Sequence, residues 1–166
     1  MPRRTPGRSP QPADPHAPSV GEHGGRTAVL LAVEDLQTAT ADLGWPEATG
    51  LADGLVDALA HLLVDVADGA EQPSPRPTVV GAIGGPPRPV DHASCRAAAA
   101  TLRRVAPAFA GAPPSWAAAA GGVCTELADL LDHAADLGRS GRLTLSHKGV
   151  VLRRMHALQR RLQALG

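Results

Sequence analysis

Aromatic residues are nearly absent from this chain of 166 residues, which holds two tryptophans, one phenylalanine and no tyrosine. Aromatic rings provide the platforms on which single-stranded bases stack and the cages that bind quaternary ammonium groups. Three rings supply little material for either task. We therefore expect neither a stacking platform for single-stranded nucleic acid nor an aromatic cage.

Cysteine and long apolar runs are scarce as well. Two cysteines are too few for a disulfide-built secreted scaffold, and no apolar run is long enough to span a bilayer. The paired arginines near the start are not followed by the apolar stretch of a secretory or twin-arginine signal. These features predict a cytoplasmic protein without a membrane span. Fifteen arginines against one lysine, with abundant alanine, indicate a high-GC bacterial coding sequence.

Proline and glycine divide the chain into segments. Residues 1–25 contain six prolines and almost no aliphatic side chains, so we predict a disordered N-terminal tail that cannot bury enough apolar surface to fold. Six more prolines in residues 69–90 predict a linker with at most one short extended piece. The remainder of residues 26–166 is predicted to form one helical bundle domain.

Between these breaks, apolar residues recur at every third or fourth position, the spacing of one helix face. The pattern predicts five helices, at 27–43, 47–68, 92–106, 116–137 and 147–165. Gly44 is expected to end the first helix and Pro107 to end or kink the third, while Asp91, Ser115 and Ser146 are expected N-caps. Each helix has one apolar face to bury. The sequence therefore predicts an all-α antiparallel bundle of two αα-hairpins, completed by a basic amphipathic C-terminal helix.

Two of the predicted helices carry histidine among carboxylates. His61 follows Asp57 by four residues, and His133 follows Asp129 by four. Metal sites in helical bundles project inward, whereas at about 100° per residue these polar stripes lie roughly opposite the leucine stripes of their own helices. We therefore predict a solvated acidic face and no bound metal or other cofactor.

The two cysteines lie on the apolar stripes of the third and fourth helices. Cys95 is in a first turn, where the helix dipole lowers a thiol pKa, so a nucleophilic thiol is one interpretation, and oxidation to a Cys95–Cys124 disulfide is another. The preferred interpretation is that both are small core residues. Because no convergent set of titratable groups points inward, the sequence also favours a protein that is not an enzyme.

Charge is the least random feature of the chain. Its net charge is zero, from 16 basic and 16 acidic residues, but the two signs are segregated. Residues 27–75 hold no base and nine acids: Glu34, Asp35, Asp42, Glu47, Asp53, Asp57, Asp65, Asp68 and Glu71. Residues 138–166 hold no acid and seven bases: Arg139, Arg142, Lys148, Arg153, Arg154, Arg160 and Arg161.

The C-terminal helix repeats after seven residues, as Arg-Arg-Met-His-Ala-Leu from 153 and Arg-Arg-Leu-Gln-Ala-Leu from 160. Three interpretations compete. The helix packs on its own bundle with its bases toward the acidic hairpin, or it pairs with a partner helix or its own copy, or it docks on nucleic-acid phosphates or an anionic membrane. The candidate partner-binding residues are Arg153, Arg154, Met155, Leu158, Arg160, Arg161 and Leu162.

From these patterns, the preferred function is a small non-enzymatic interaction or accessory protein. It is expected to bind a protein partner or itself, as a homo-oligomer, through the C-terminal helix. The alternative is a nucleic-acid-binding module that uses the bases of that helix, with weak binding. A bundle enzyme of unknown activity is the third and least favoured hypothesis. No motif in the sequence identifies a family.

Overall fold

The computed structural model of the chain describes residues 20–39, 41–74, 86 and 88–165. These residues contain five helices and no strand, which confirms the predicted all-α fold. The helices are α1 (Val20–Thr38), α2 (Pro46–Ala67), α3 (His92–Ala110), α4 (Ser115–Arg139) and α5 (Leu145–Gln163). Residues 1–19 of the predicted disordered tail lie outside the described residues. Residues 20–25, also assigned to that tail, belong to α1, which begins at Val20 rather than at 27.

α1 ends at Thr38, whereas the periodicity predicted a helix as far as 43. The hydroxyl of Thr38 donates to the carbonyl oxygen of Asp35 at 2.9 Å, a local bond that competes with helix propagation. Residues 41–45 follow as a non-helical but largely buried segment, in which Leu43 is fully buried. The apolar period continues through this segment because it still faces the core, although its backbone is no longer helical.

Gly44 is a crossing point rather than the residue that closes α1. Its φ of 75° lies in the left-handed region, which favours glycine. Its carbonyl oxygen accepts a hydrogen bond from the N–H of Arg88 at 2.7 Å. A Cβ at this position would lie 2.1 Å from the carbonyl oxygen of Arg88. The segment that enters α3 therefore passes directly against the segment that enters α2.

α3 continues through Pro107 to Ala110, so the prediction that Pro107 ends the helix near 106 is wrong. Pro107 itself is exposed, and Phe109 in the same last turn is fully buried. Burial of a phenylalanine side chain stabilises by roughly 1.5–3 kcal/mol, which offsets much of the cost of a missing proline N–H.

Two of the three predicted N-caps are displaced. Asp91 caps α3 as expected, accepting from the N–H of Ser94 at 3.0 Å. α4 includes Ser115 and has Pro114 at its N-cap position. α5 begins after Thr144, whose hydroxyl accepts from the N–H of His147, while the His147 ring accepts from the N–H of Thr144. This reciprocal capping box fixes the start of α5 two residues earlier than a Ser146 cap would.

Four helices form the bundle, in the spatial order α1, α2, α4, α3, and each is antiparallel to its neighbours. α5 lies in the groove between α2 and α4 and makes no contact with α1 in the described chain. α2, α3 and α5 therefore begin at one end of the bundle. The two hairpins and the added C-terminal helix are as predicted, and no described helix is long and apolar enough to cross a bilayer.

Asp65 is buried, at 6% exposure, although its spacing on α2 placed it in the predicted solvated acidic face. Its carboxylate accepts two hydrogen bonds from Ser74, one from the N–H and one from the hydroxyl, each at 3.0 Å. The first residues of the predicted linker therefore fold back over this carboxylate. Residues 75–85 and 87 of that linker lie outside the described part of the chain.

Candidate functional site

α5 is attached to the bundle through its predicted apolar seam. Val151, Met155 and Leu158 are buried, at 1%, 0% and 3% exposure, against α2 and α4. Leu162 and Leu165 continue the seam and are half-buried. The packing of α5 on its own bundle is therefore as the first interpretation predicted, and the seam is occupied within the chain.

The bases of α5 do not pair with the acidic hairpin of α1 and α2. The ion pair that α5 makes within the described chain is with α4, between Arg161 Nη1 and Glu126 Oε1 at 2.5 Å. A Cβ at Gly122 would lie 3.6 Å from Arg161 Nη2, so the small residue lets the guanidinium lie close to α4. Both partners are about half exposed, so the pair contributes roughly 0.2–1 kcal/mol.

Three arginines of α5 point outward without a counter-charge. Arg153, Arg154 and Arg160 are exposed, and none of them forms an ion pair with another residue that the structure describes. We call these three side chains the arginine face. Arg154 is seven residues before Arg161, on the same side of the helix, but it lacks the ion pair that Arg161 makes.

Arg154 lies at the edge of a shallow groove between α4 and α5. The groove has a volume of ≈ 210 Å³, and its walls carry both signs of charge. Its lining side chains are Glu126, Asp129, Leu130, Arg154, Ala157, Leu158 and Arg161. A guanidinium in this position has apolar surface beside it and the acids of α4 across from it.

The helices that flank α5 carry acids on their outer surfaces. On α4, Asp129, Asp132 and Asp136 pair with Arg103 and Arg96 of α3, with Asp129 at 2.8 Å from the Arg103 guanidinium. The hydrogen bonds to Asp129 and Asp132 raise the pKa of Arg103, so this base stays charged. On α2, Asp53 and Asp57 are exposed. The arginine face therefore lies between α2, which carries exposed acids, and α4, whose acids are largely paired with bases of α3 and α5.

The histidines considered as metal ligands lie where the sequence predicted. His61 Nδ1 lies 3.4 Å from Asp57 Oδ2, with both side chains largely exposed, and His133 is exposed on α4. In the described ranges, no three His, Cys, Asp or Glu side chains come together as a group that could hold a metal ion. Neither histidine therefore provides a candidate centre.

Both cysteines are fully buried, as the core interpretation predicted, and both are free thiols. Burial raises the pKa of Cys95 to about 11, with Asp91, Asp42 and Asp132 adding to the shift, and burial raises the pKa of Cys124 to about 12. The lowered pKa considered for Cys95 is therefore wrong, because desolvation outweighs the helix dipole. The Cys124 thiol donates to the carbonyl oxygen of Leu102, which lies about 10 Å along α3 from Cys95.

The seven predicted partner-binding residues divide by burial. Met155 and Leu158 are in the core, Leu162 is half-buried and Arg161 is held by Glu126, which leaves the arginine face as the exposed part of the set. No family model, curated protein or solved structure matches the chain. The chemistry of α5 is therefore inferred from its own geometry, which is that of a packed helix presenting three exposed guanidinium groups that form no ion pair within the described chain.

Proposed function

We propose that this chain is a non-enzymatic interaction protein that binds an acidic protein surface through the arginine face of α5. The observation that carries the proposal is that Arg153, Arg154 and Arg160 are exposed and form no ion pair with a described residue, while the buried seam holds the helix in place. Arginine forms bidentate hydrogen bonds with carboxylates and loses little hydration in doing so. Arg153 and Arg160 lie seven residues apart on one side of a packed helix, which suits a partner with carboxylates at the same spacing.

The exposed acids of α2 favour a compact protein partner over nucleic acid. A duplex laid along α5 would extend past the arginine face over α2, where exposed carboxylates such as Asp53 and Asp57 would repel its phosphates. A folded protein can present a few acids to the arginine face and avoid its flanks. A protein with zero net charge also gains no long-range attraction for polyanions.

A second copy of the chain is one acidic partner that fits this description. α1 and α2 carry exposed acids, among them Glu34, Glu47 and Asp53, and α1 lies away from α5. Contact between the arginine face of one copy and these acids of another is heterologous, and it would give a concentration-dependent chain of copies rather than a closed dimer. We place the interaction in the cytoplasm, on the ground of the low cysteine content.

The test compares two double charge reversals. Arg153→Glu with Arg160→Glu removes the arginine face, and Arg139→Glu with Arg142→Glu makes the same charge change at exposed bases outside it. Each protein is used to capture partners from its native host, and captured proteins are identified and assayed for binding in purified form. Sedimentation equilibrium of each protein alone measures self-association.

We expect the arginine-face variant to lose the partner, or the self-association, that the wild type and the control variant retain. Binding of a labelled duplex should vanish near physiological salt, about 0.15 M, because each neutralised phosphate releases counterions. Duplex binding that persists at that salt and is lost with the arginine-face reversal would replace this proposal with the nucleic-acid alternative.

A further inference from the structure

A cavity of ≈ 340 Å³ opens at the end of the bundle where α2, α3 and α5 begin. Its volume is within the range of sites for small organic ligands. Leu43, Val90 and Leu143 provide apolar wall, and Arg88, His92 and Lys148 provide the charged or titratable part of the lining. The lining holds no carboxylate, in a protein whose acids equal its bases in number.

The basic side chains of the cavity are held in place by neighbours behind it. Lys148 Nζ lies 5.2 Å from the centroid of the Trp45 ring, a cation–π distance that restricts the ammonium. Arg88 Nη2 lies 2.7 Å from Asp42 Oδ2, and Asp42 is not part of the lining. A guanidinium has five N–H donors, so a single carboxylate leaves several of those of Arg88 for a ligand.

His92 is the third polar side chain of the lining. Its Nδ1 is buried and has no hydrogen-bond partner among the described residues. A buried polar atom without a partner costs roughly 1–3 kcal/mol, and such atoms are uncommon in folded proteins. Because this atom is closed to solvent, the ring can contact a ligand in the cavity only through its other atoms.

We propose that this cavity binds a small organic anion. Its carboxylate or phosphate group lies against Arg88, His92 and Lys148, and its apolar body lies against Leu43, Val90 and Leu143. The partial positive charges at the starts of α2, α3 and α5 add to the attraction of the head group. The site shares no residue with the arginine face, so a test of this site is independent of a test of the proposed function.

The test uses Trp45 as its own reporter, in a Trp116→Phe background that leaves a single tryptophan. Phenyl phosphate and benzoate are titrated in turn, with benzyl alcohol as a neutral analogue and sodium chloride as the ionic-strength control. We expect a saturable change in Trp45 emission with at least one anion, because an anion draws the Lys148 ammonium off the ring. The better of the two anions identifies the head group, and either supports the proposal.

Calorimetry then measures the affinity of the wild type and of each variant for the tighter-binding anion, because calorimetry does not depend on Trp45 fluorescence. Lys148→Ala should weaken binding about tenfold, as expected for one charge-assisted hydrogen bond. Asp42→Asn should tighten binding severalfold, because it frees Arg88 while its Oδ1 can still accept from the N–H of Gly44. Arg104→Ala removes an exposed base outside both the cavity and the arginine face and should leave the affinity unchanged. Melting curves establish that each variant folds, and Lys148→Gln replaces Lys148→Ala if the alanine variant does not.

Three results would overturn the proposal. The first is no saturable response to either anion up to roughly 10 mM, a concentration at which even a weak site is occupied. The second is an equal response to benzyl alcohol, which would identify an apolar cleft. The third is anion binding that survives replacement of both Lys148 and Arg88 by glutamine in a folded protein.

Discussion

Arg161 on α5 and Glu126 on α4 are joined by an ion pair at 2.5 Å. Arg160, the residue before Arg161, is exposed and forms no ion pair within the described chain. Arg161→Glu should therefore lower the free energy of unfolding by about 0.5–1 kcal/mol, because it replaces attraction with repulsion at a half-exposed site. Arg160→Glu should change it by less than about 0.5 kcal/mol. Urea denaturation of both variants measures the difference, and equal losses would mean that α5 is not held against α4 at this level.

The attachment of α5 rests mainly on its seam. Met155→Ala should cost about 2–5 kcal/mol, because the side chain is fully buried between α2 and α4 and its removal leaves a cavity. Val150→Ala, at a position 41% exposed on the same helix, should cost less than about 0.5 kcal/mol. Denaturation of the two variants measures the contrast. A Met155→Ala protein as stable as wild type would show that α5 contributes little to the folded core.

The buried thiols make the protein less stable at alkaline pH. An unfolded thiol has a pKa of about 9.0, while the folded pKa values are about 11 for Cys95 and about 12 for Cys124. Between pH 9 and 11 the unfolded chain therefore binds fewer protons than the native protein, and the free energy of unfolding falls as the pH rises. Melting curves from pH 8 to 10.5 should show a steeper loss for wild type than for a Cys95→Ala, Cys124→Ala variant.

The same burial governs reactivity. At neutral pH both thiols of the native protein are protonated and inaccessible, so a disulfide reagent should react with them only after unfolding. The control is the same titration in denaturant, where two thiols per chain should react. Rapid labelling of either cysteine in the native protein would contradict its place in the core.

A comparison of Gly44 with Gly69 distinguishes the cost of a left-handed backbone from the cost of a steric clash. Both have positive φ, at 75° and 69°, but an added Cβ meets the Arg88 carbonyl oxygen at 2.1 Å in the first case and nothing within 4 Å in the second. Gly69→Ala should cost about 1–2 kcal/mol, the cost of the left-handed conformation alone. Gly44→Ala should cost more, because the segment entering α3 must also move. Denaturation of the two variants decides it, and equal costs would show that Arg88 does not cross Gly44 as described.

The sequence was sufficient to predict the five helices, their hairpin order and the seam of α5, since these depend on the local spacing of apolar residues. The end of α1 was not predictable in this way, because residues 41–45 keep the apolar period after leaving the helix. The α5 cap was misplaced because Thr144 and Ser146 are both good caps, and the choice falls to the reciprocal bond with His147.

The side-chain contacts between different helices could not be predicted from the sequence, for a different reason. The pairing of Arg161 with Glu126, and the burial of Asp65 beneath Ser74, depend on how distant segments align in three dimensions. The cavity with Arg88, His92 and Lys148 is of the same kind, because it assembles residues from three parts of the chain. A single sequence does not show how distant segments align, although its segregated charges did indicate α5 as the basic surface of the protein.

The separation of acids on α1 and α2 from the bases of α5, in a chain of zero net charge, has a consequence for handling the protein. Neutral molecules that carry separate patches of each sign attract one another at low ionic strength, since no net repulsion keeps them apart. Added salt screens that attraction within about 10 Å at 0.1 M. The protein should therefore be least soluble in dilute neutral buffer and should dissolve further as salt is added, the reverse of the behaviour of a protein precipitated by its apolar surface.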